Sequence, residues 1–356
     1  MFRSFSLYSN FKVGISMKQK TVTSVLSLIF IGFLSVIVAS YAHAEETSDS
    51  AQNDVGYHIY ADLPGNQIGD KDSFFNLRMT PGQKQTIEFV VANTSPKDLK
   101  FKIELNQAYT NNQGFIDYSE DNKTYNLKDK FKIDKIASCT KEVTVPKQSN
   151  KKIPIQISMP AEAFKGEILA GIKVTKVSEE QTGISNQYGY ILGLRLTEQD
   201  DELKREVQLK KITPAVSFGK TSVVVELLNP QMESYGKLDY KVEIKDDKSG
   251  KRVKTKSYKE LQMAPNSLYK FAIDWDGEKL VPGDYRMKLT INDKKNNQWV
   301  FDKRFTITSK EANEVNEVVI DKADPLNMKI LIIILIVIVI LLLIFWKFKK
   351  ANKSKA

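Results

Sequence analysis

The chain is poor in the residues that metal sites and catalytic sites use most often. Its 356 residues include two histidines and one cysteine. A single cysteine forms no intrachain disulfide, so the fold must be stabilised by burial, and Cys139 is expected to be a small buried hydrophobe. A zinc site cannot be assembled from so few histidine and cysteine ligands. No glycine-rich phosphate loop stands between a strand and a helix pattern. We therefore expect no metal and no cofactor.

The residues available for catalysis lack a supporting motif. His58 accompanies no nucleophile motif, so we expect a surface residue of a strand rather than a catalytic base. Asp117, Glu120 and Asp121 are close enough in sequence to suggest the paired carboxylates of a glycosidase. In a chain with 43 acidic residues, solvated turn residues explain this cluster better. We predict no catalytic residues and a binding protein that is not an enzyme.

Positive charge is concentrated at the two ends of the chain. The net charge is +10, but residues 1–44 hold four basic and no acidic residues, and the last ten residues hold five and none. Only +1 is left for residues 45–329. A nucleic-acid-binding domain needs a basic patch, so we expect no nucleic-acid partner.

The N-terminal segment has the order of a secretory signal peptide. A basic stretch at 17–20 precedes an apolar run over 22–38, and the small-x-small pattern of 42–44 follows. We predict that residues 1–44 form a signal peptide. A retained membrane anchor is the alternative interpretation, and Met17 is a second candidate start.

Near the C-terminus, residues 330–346 are all apolar. As a helix they would extend about 25 Å, the short end of what crosses a bilayer, and Lys329 and Lys347 can snorkel to lengthen the span. A buried core helix is the alternative. The basic residues of 347–356 favour a cytoplasmic tail, so we predict a single-pass protein of the cell membrane with an extracellular body.

Hydrophobic residues of the body alternate with a period of two, which is typical of half-buried strands. The first half shows this period at 87–91, 101–105, 153–159, 168–174 and 188–196. Pro154 lacks a ladder donor and predicts an edge or a bulge. The segment 159–166, with proline near its start and glycine at its end, predicts one short helical turn.

A second series of strands follows the acidic residues 198–202. It shows the same period at 238–244, 269–275, 285–291 and 299–307. About seven strands fit each half, so the predicted fold is all-β: two immunoglobulin-like β-sandwich domains in tandem, over 45–199 and 200–309, followed by a single transmembrane α-helix. Residues 310–329 are predicted to form a stalk, for which partial helicity is left open.

Two loops of the first domain combine amides, acids and aromatic rings. The candidate binding residues are Asn66, Gln67 and Asp70 in the first loop and Tyr109, Asn111, Asn112, Asp117 and Tyr118 in the second. These groups can hydrogen-bond the hydroxyl and acetamido groups of a sugar while a ring stacks on its apolar face. The alternative is that asparagine and glycine serve turn geometry alone.

Several of these stretches resemble the WxL-interacting proteins of Gram-positive cell surfaces. The similar stretches are YHIYADLPGNQI at 57–68, FFNLR at 74–78, PGQKQ at 81–85, YTNNQG at 109–114, the segment 159–171 and NQYGY at 186–190. The resemblance covers nearly the whole chain. It is most specific in the first domain, whereas the second resembles the family in position and strand pattern.

This resemblance implies a first domain that binds peptidoglycan and a second domain that binds WxL-domain proteins. The chain would then be a membrane-anchored scaffold that holds those proteins at the cell wall. Two other functions stay open: a surface adhesin that binds a host ligand, and a chaperone-like domain that donates or accepts a strand.

One segment of the second domain is apolar on both faces of its predicted strand. Residues 223–225 and 227–228 place Val224 and Leu228 on the face opposite the core. A WxL protein is one candidate to cover them, and the first domain or the stalk is the other. Because residues 45–329 carry almost no net charge, we expect a partner interface of apolar and backbone contacts.

Overall fold

The structure is a computed structural model, and it describes residues 55–69, 73–120, 127–177 and 189–318 together with 332–338, 340, 341 and 344. The chain divides into two compact units, residues 1–55 and residues 56–356. The sheets described below all belong to the second unit. The predicted signal peptide and the basic tail lie outside the described residues.

The strands of residues 57–197 form two main sheets, which we call the N-terminal sheet pair. Its strands are β1 (Tyr57–Asp62), β2 (Phe75–Arg78), β3 (Lys84–Asn93), β4 (Leu99–Gln107), β5 (Tyr109–Thr110), β6 (Ile116–Asp117), β7 (Ala137–Cys139), β8 (Glu142–Val145), β9 (Ser149–Ser158), β10 (Glu167–Lys176) and β11 (Gly189–Thr197). The first sheet has the order β1-β3-β9-β7 and the second β2-β11-β10-β4-β8. Strands β5 and β6 form a separate hairpin, and a short 3-10 turn (Asp129–Phe131) and helix α1 (Ile133–Ile136) precede β7.

Side chains that face inward join the two sheets of this pair. The Tyr57 hydroxyl in β1 donates a hydrogen bond to the Val174 carbonyl in β10 at 3.0 Å, and its ring lies 4.6 Å from that of Phe101 in β4. Pro154 pairs with Glu88 on one side, while pairing with β7 on the other side is confined to residues 155–157. The missing N–H therefore falls where β9 has no ladder to β7, in agreement with the expected edge position.

The predicted helical turn at 159–166 was wrong. The segment forms bends between β9 and β10. The Phe164 ring is buried 5.5 Å from the Phe131 ring, and the Phe164 N–H donates to the Glu198 carboxylate at 3.0 Å. These long-range contacts satisfy the segment better than local helical hydrogen bonds would.

The strands of residues 208–307 form two further sheets, which we call the C-terminal sheet pair. Its elements are β12 (Gln208–Ser217), β13 (Lys220–Asn229), β14 (Tyr235–Asp246), β15 (Arg252–Met263), β16 (Ser267–Asp274), β17 (Gly283–Asn292), β18 (Gln298–Ile307) and α2 (Ser309–Val318). The third sheet has the order β12-β13-β16 and the fourth β15-β14-β17-β18. Alternate residues of facing strands form one buried apolar cluster, in which the rings of Tyr240 and Phe271 lie 5.0 Å apart.

Helix α2 belongs to the C-terminal sheet pair rather than to a stalk. The Thr308 hydroxyl accepts from the Glu311 N–H at 3.2 Å and the Glu311 carboxylate accepts from the Thr308 N–H at 3.0 Å, which is a capping box. Ala312 and Val315 are buried in the apolar cluster, and Asn316 pairs with the backbone of Leu280. The prediction of a stalk over 310–329 is corrected for 310–318, because one face of this segment is apolar and packs.

In the part of the chain that the structure describes, no helix is long and apolar enough to cross a membrane. Of the predicted span at 330–346, only residues 332–338, 340, 341 and 344 are described, and they are helical.

The two sheet pairs contact each other directly at Glu167. This residue is 7% exposed, and its N–H donates to the Met232 carbonyl at 2.6 Å. One carboxylate oxygen accepts from the Ser234 N–H at 2.7 Å and the other from Arg195 Nε at 2.5 Å. A buried carboxylate with this set of donors fixes the position of 232–234 against the start of β10.

A second buried ionic cluster fixes the segment that leads into the C-terminal sheet pair. Arg205 donates to one Glu233 oxygen from Nε and Nη2 at 3.0 and 2.8 Å, and to Asp293 from Nη1 at 2.8 Å. Its guanidinium lies 4.9 Å from the Tyr235 ring centre. The Arg205 side chain is 9% exposed and that of Asp293 is fully buried.

Candidate functional site

The amides of the first predicted binding loop are hydrogen-bonded within the protein. Asn66 and Gln85 form a reciprocal amide pair, with N···O distances of 2.9 and 2.7 Å, and Asn66 also donates to the Arg78 carbonyl. The Gln67 amide donates to the Phe74 carbonyl and accepts from the Asn76 N–H. A ligand would have to displace these bonds, which close the loop onto β2. Asp70 lies outside the described residues.

The second predicted loop is the β5–β6 hairpin, and it docks on the C-terminal sheet pair. The Thr110 N–H donates to the Ser267 hydroxyl at 3.1 Å, and the Thr110 hydroxyl accepts from the Ala264 N–H at 2.9 Å. At the hairpin tip, the Gln262 N–H donates to the Gly114 carbonyl at 2.7 Å. The hairpin is therefore part of the contact between the sheet pairs.

The polar residues of this hairpin mostly bond to one another. Asn111 donates to the Asp117 carboxylate at 3.2 Å and accepts from the N–H groups of Gln113 and Phe115. Tyr109 and Ser119 share a hydroxyl–hydroxyl hydrogen bond at 3.0 Å. Asn112, by contrast, is exposed at the turn. Of the residues of this hairpin that were predicted to bind, Asn112 is thus the one that is exposed.

The titration of two hairpin residues follows from this packing. Partial burial acts to raise the pKa of Asp117, but hydrogen bonds from Ser119, Asn111 and the Tyr118 N–H outweigh it, so that the pKa is lowered. Burial raises the pKa of the Tyr118 phenol to about 12. The Asp117 carboxylate thus accepts hydrogen bonds from its own turn, in line with the alternative that these residues serve turn geometry. In the described part of the chain, no three His, Cys, Asp or Glu side chains cluster as metal ligands would.

A more accessible surface lies on the side of the first sheet that points away from the second. We call it the outer face. From the strand registers it comprises His58, Tyr60 and Asp62 of β1, Lys84, Thr86, Glu88, Val90 and Ala92 of β3, Asn150, Lys152, Pro154, Gln156 and Ser158 of β9, and Ser138 of β7. The rings of His58 and Tyr60 lie 6.1 Å apart at an interplanar angle of 23°, and Tyr60 is 43% exposed. The two rings thus place exposed aromatic surface on this face.

Charged and polar groups surround this ring pair. Lys152 lies in the row through Tyr60, and its Nζ is 2.5 Å from Asp62 and 3.3 Å from Glu88 in the neighbouring row. Further along the sheet, an open groove runs beside helix α1. Its lining includes Lys84, Thr86, Lys135, Ser138, Gln156 and Ser158. The outer face thus presents rings at one end and hydrogen-bonding groups at the other.

In the C-terminal sheet pair, the two predicted partner contacts differ in exposure. Val224 is half-buried, on the outer side of β13 between Thr213 and Ala272. Leu228 is 1% exposed. The chain itself therefore already covers Leu228, so this side chain leaves no apolar surface for a partner.

Two family profiles match the chain along most of the body. Residues 57–176 match the profile described as WxL Interacting Protein, peptidoglycan binding domain, and residues 179–317 match WxL Interacting Protein, host binding domain. The chain belongs to the WxL interacting protein family. The predicted resemblance is confirmed, and this WxL interacting protein carries both domains of the family. The second domain is described by host binding, whereas the resemblance implied binding of WxL-domain proteins.

None of the curated proteins matches this chain. Solved structures share low similarity with it. One is a chaperone-tip adhesin complex of CFA/I fimbriae, at 14% identity and a TM-score of 0.31, and the match covers 69% of this chain and 98% of that structure's chain. The CupB2 chaperone of Pseudomonas aeruginosa has 16% identity, coverages of 62% and 92%, and a TM-score of 0.24. Similarity at this level says nothing about function.

Proposed function

We propose that this WxL interacting protein is a non-enzymatic scaffold that tethers a protein partner to the cell wall. The N-terminal sheet pair binds peptidoglycan and the C-terminal sheet pair binds the partner. The match of residues 57–176 to the family's peptidoglycan binding domain carries this proposal. The buried contact at Glu167 supports it, because this contact joins the two sheet pairs and would transmit force from one to the other.

The scaffold is proposed to be anchored in the cell membrane by residues 330–346. The support is the sequence: seventeen apolar residues flanked by Lys329 and Lys347, long enough to cross a bilayer with snorkelling. A signal peptide at 1–44 would export the body. Because positively charged tails stay inside, residues 347–356 would be cytoplasmic.

One experiment tests anchoring and wall binding together. The full chain is reconstituted into anionic phospholipid vesicles, which are floated on a density gradient and then mixed with purified peptidoglycan sacculi. We expect the chain to float with the vesicles and to carry them down with the sacculi. A chain of residues 45–329, which lacks both apolar runs, should sediment with sacculi and leave the vesicles behind. Vesicles that stay in the supernatant at micromolar protein would contradict the wall-binding proposal.

The partner of the C-terminal sheet pair is proposed to be a WxL-domain protein. The family name supports this choice, and the description of residues 179–317 as a host binding domain favours a host surface protein as the second candidate. Val224 is the proposed contact, since it is the member of the predicted pair that is not already covered. Burying a valine side chain against a partner contributes about 1.5–3 kcal/mol.

We predict that Val224→Asp weakens capture of a purified WxL-domain protein by at least about tenfold, because a carboxylate replaces apolar contact. Thr290→Asp is the matched control, since Thr290 is also half-buried on a strand of this sheet pair, β17. Both variants are compared by surface plasmon resonance at low and near-molar salt. The wild-type affinity should change little with salt. A steep loss in salt, or equal effects of the two variants, would contradict an apolar contact at Val224.

A further inference from the structure

We infer that the outer face of the first sheet is the glycan-binding surface of this protein. The rings of His58 and Tyr60 would stack on the apolar face of a sugar, and the groove beside α1 would hydrogen-bond its acetamido and carboxylate groups. The inference rests on the proposed peptidoglycan binding and names the site for it. It differs from the site predicted from the sequence, which lay in the loops.

The exposed rings of His58 and Tyr60 are not part of the hydrophobic core. Tyr60 points away from the core, because Tyr57 and Ile59 of the same strand point inward. In the row through Tyr60, Val90 lies between it and Lys152 and is only 4% exposed. Val90 is therefore already covered by its neighbours, whereas 43% of the Tyr60 surface is exposed to solvent. An exposed ring held in place by its neighbours can stack on a ligand at little entropic cost.

The charges on this face fit a sugar better than a polyanion. Three basic and three acidic side chains lie on the outer face and the groove: Lys84, Lys135, Lys152, Asp62, Glu88 and Asp134. Their net charge is zero. The ion pairs of Lys152 with Asp62 and Glu88 hold donors and acceptors in fixed positions, which suits recognition of hydroxyl groups. A wall polyanion such as a polyphosphate would require an excess of lysine and arginine.

The groove supplies the groups that a peptidoglycan strand needs beyond stacking. Thr86, Gln156 and Ser138 form one row across three strands and are exposed, and they provide hydroxyl and amide groups for acetamido contacts. Lys84 is exposed at the groove and can pair with a carboxylate of the peptide. The two predicted loops offer fewer free groups, since Asn66, Gln67 and Asn111 bond within the protein.

The test measures binding of the full chain, in detergent, to purified peptidoglycan sacculi by sedimentation over a range of sacculus concentrations. The double variant His58→Ala/Tyr60→Ala should bind at least about tenfold more weakly. Tyr60→Phe keeps the ring and should stay within about threefold of wild type. Phe218→Ala is the matched control, because Phe218 is 63% exposed on the C-terminal sheet pair, and it should bind as wild type does.

A second variant keeps the inference testable if loss of both rings disturbs folding. Thr86→Ala/Gln156→Ala removes only exposed polar groups of the groove and should also weaken binding. Unchanged binding by both double variants would overturn the inference and leave the proposed function standing. Loss of binding in Asn112→Ala with no loss in the outer-face variants would overturn it too, and would place the site on the β5–β6 hairpin. A wild-type chain that fails to sediment would instead refute the proposed wall binding itself.

Discussion

Replacing Arg205 with alanine should lower the free energy of unfolding by about 3–5 kcal/mol, because it leaves the buried Asp293 carboxylate without its counter-charge. Glu233 keeps a second partner, since Lys295 Nζ lies 3.6 Å from its carboxylate. The Asp293 side chain is fully buried and that of Glu233 is 18% exposed. The variant also loses the contact between the guanidinium and the Tyr235 ring.

The measurement is urea unfolding of the chain truncated after Val318, followed by tryptophan fluorescence. Both tryptophans of this truncated chain, Trp275 and Trp299, lie in the C-terminal sheet pair. Trp299 stacks on Tyr235 with ring centres 6.1 Å apart, so its emission reports on the environment of Arg205. The fluorescence transition therefore follows unfolding of this sheet pair rather than of the N-terminal one.

Arg286→Ala is the matched control for the loss of one arginine. Arg286 makes two hydrogen bonds to Asp302, at 2.6 and 3.0 Å, but both side chains are about half exposed. Exposed ion pairs contribute about 0–1 kcal/mol, so this variant should unfold almost as wild type does. Equal destabilisation by the two substitutions would contradict a special role of burial at Arg205.

The pH dependence of the Arg205 effect follows from Asp293. Burial acts to raise the pKa of this carboxyl, but hydrogen bonds from Asn297, Arg205 and the Lys295 N–H outweigh it and lower the pKa. A pKa below the unfolded value of about 3.9 contributes stability that is present above that pH and lost as the pH falls through the folded pKa. We therefore expect the free energies of unfolding of wild type and Arg205→Ala to become more similar below about pH 4.

Strand positions could be predicted from local alternation, because one face of each strand meets the core. Ile87, Phe89 and Val91 are buried in β3, and Tyr269, Phe271 and Ile273 are buried in β16, as their period of two indicates. The same argument did not predict that α2 packs on the sheets, because its apolar stripe consists mainly of Ala312 and Val315 in a charged segment for which only partial helicity was expected. The capping box of Thr308 and Glu311 was the available signal.

The roles of polar loop residues could not be predicted, because they depend on partners far away in sequence. Thr110 contacts Ser267 across 157 positions, and Asn66 pairs with Gln85 on another strand. The amides suggested binding to a ligand, whereas in the fold they form hydrogen bonds within the protein. The exposure of His58 and Tyr60 on β1 could not be predicted for another reason. Tyr57 and Tyr60 lie on opposite faces of the strand, and the alternation alone does not say which face is exposed.

Gly166→Ala should separate the two sheet pairs at their direct contact. Gly166 has a φ of +93°, and a Cβ built there would lie 2.0 Å from the Met232 carbonyl oxygen and 2.8 Å from Leu203. The clash with backbone cannot be relieved by a side-chain rotation. We therefore expect loss of the adjacent hydrogen bond from the Glu167 N–H to the Met232 carbonyl. We also expect the segment between β11 and β12, which contains Leu203, to lose its contact at Gly166.

Gly82→Ala isolates the steric part of this effect. Gly82 has a φ of +72° with nothing within 4 Å of its built Cβ. Both substitutions incur the backbone strain of the left-handed region, about 1–2 kcal/mol, so only Gly166→Ala adds the clash. The measurement is the rate of trypsin cleavage after Lys204 in the truncated chain, because cleavage through an opened state follows its population. We expect Gly166→Ala to be cut at least about tenfold faster than Gly82→Ala, as an opening made easier by about 1.4 kcal/mol would produce. Equal rates would show that the junction tolerates the added methyl group and that the sheet pairs are held together by other contacts.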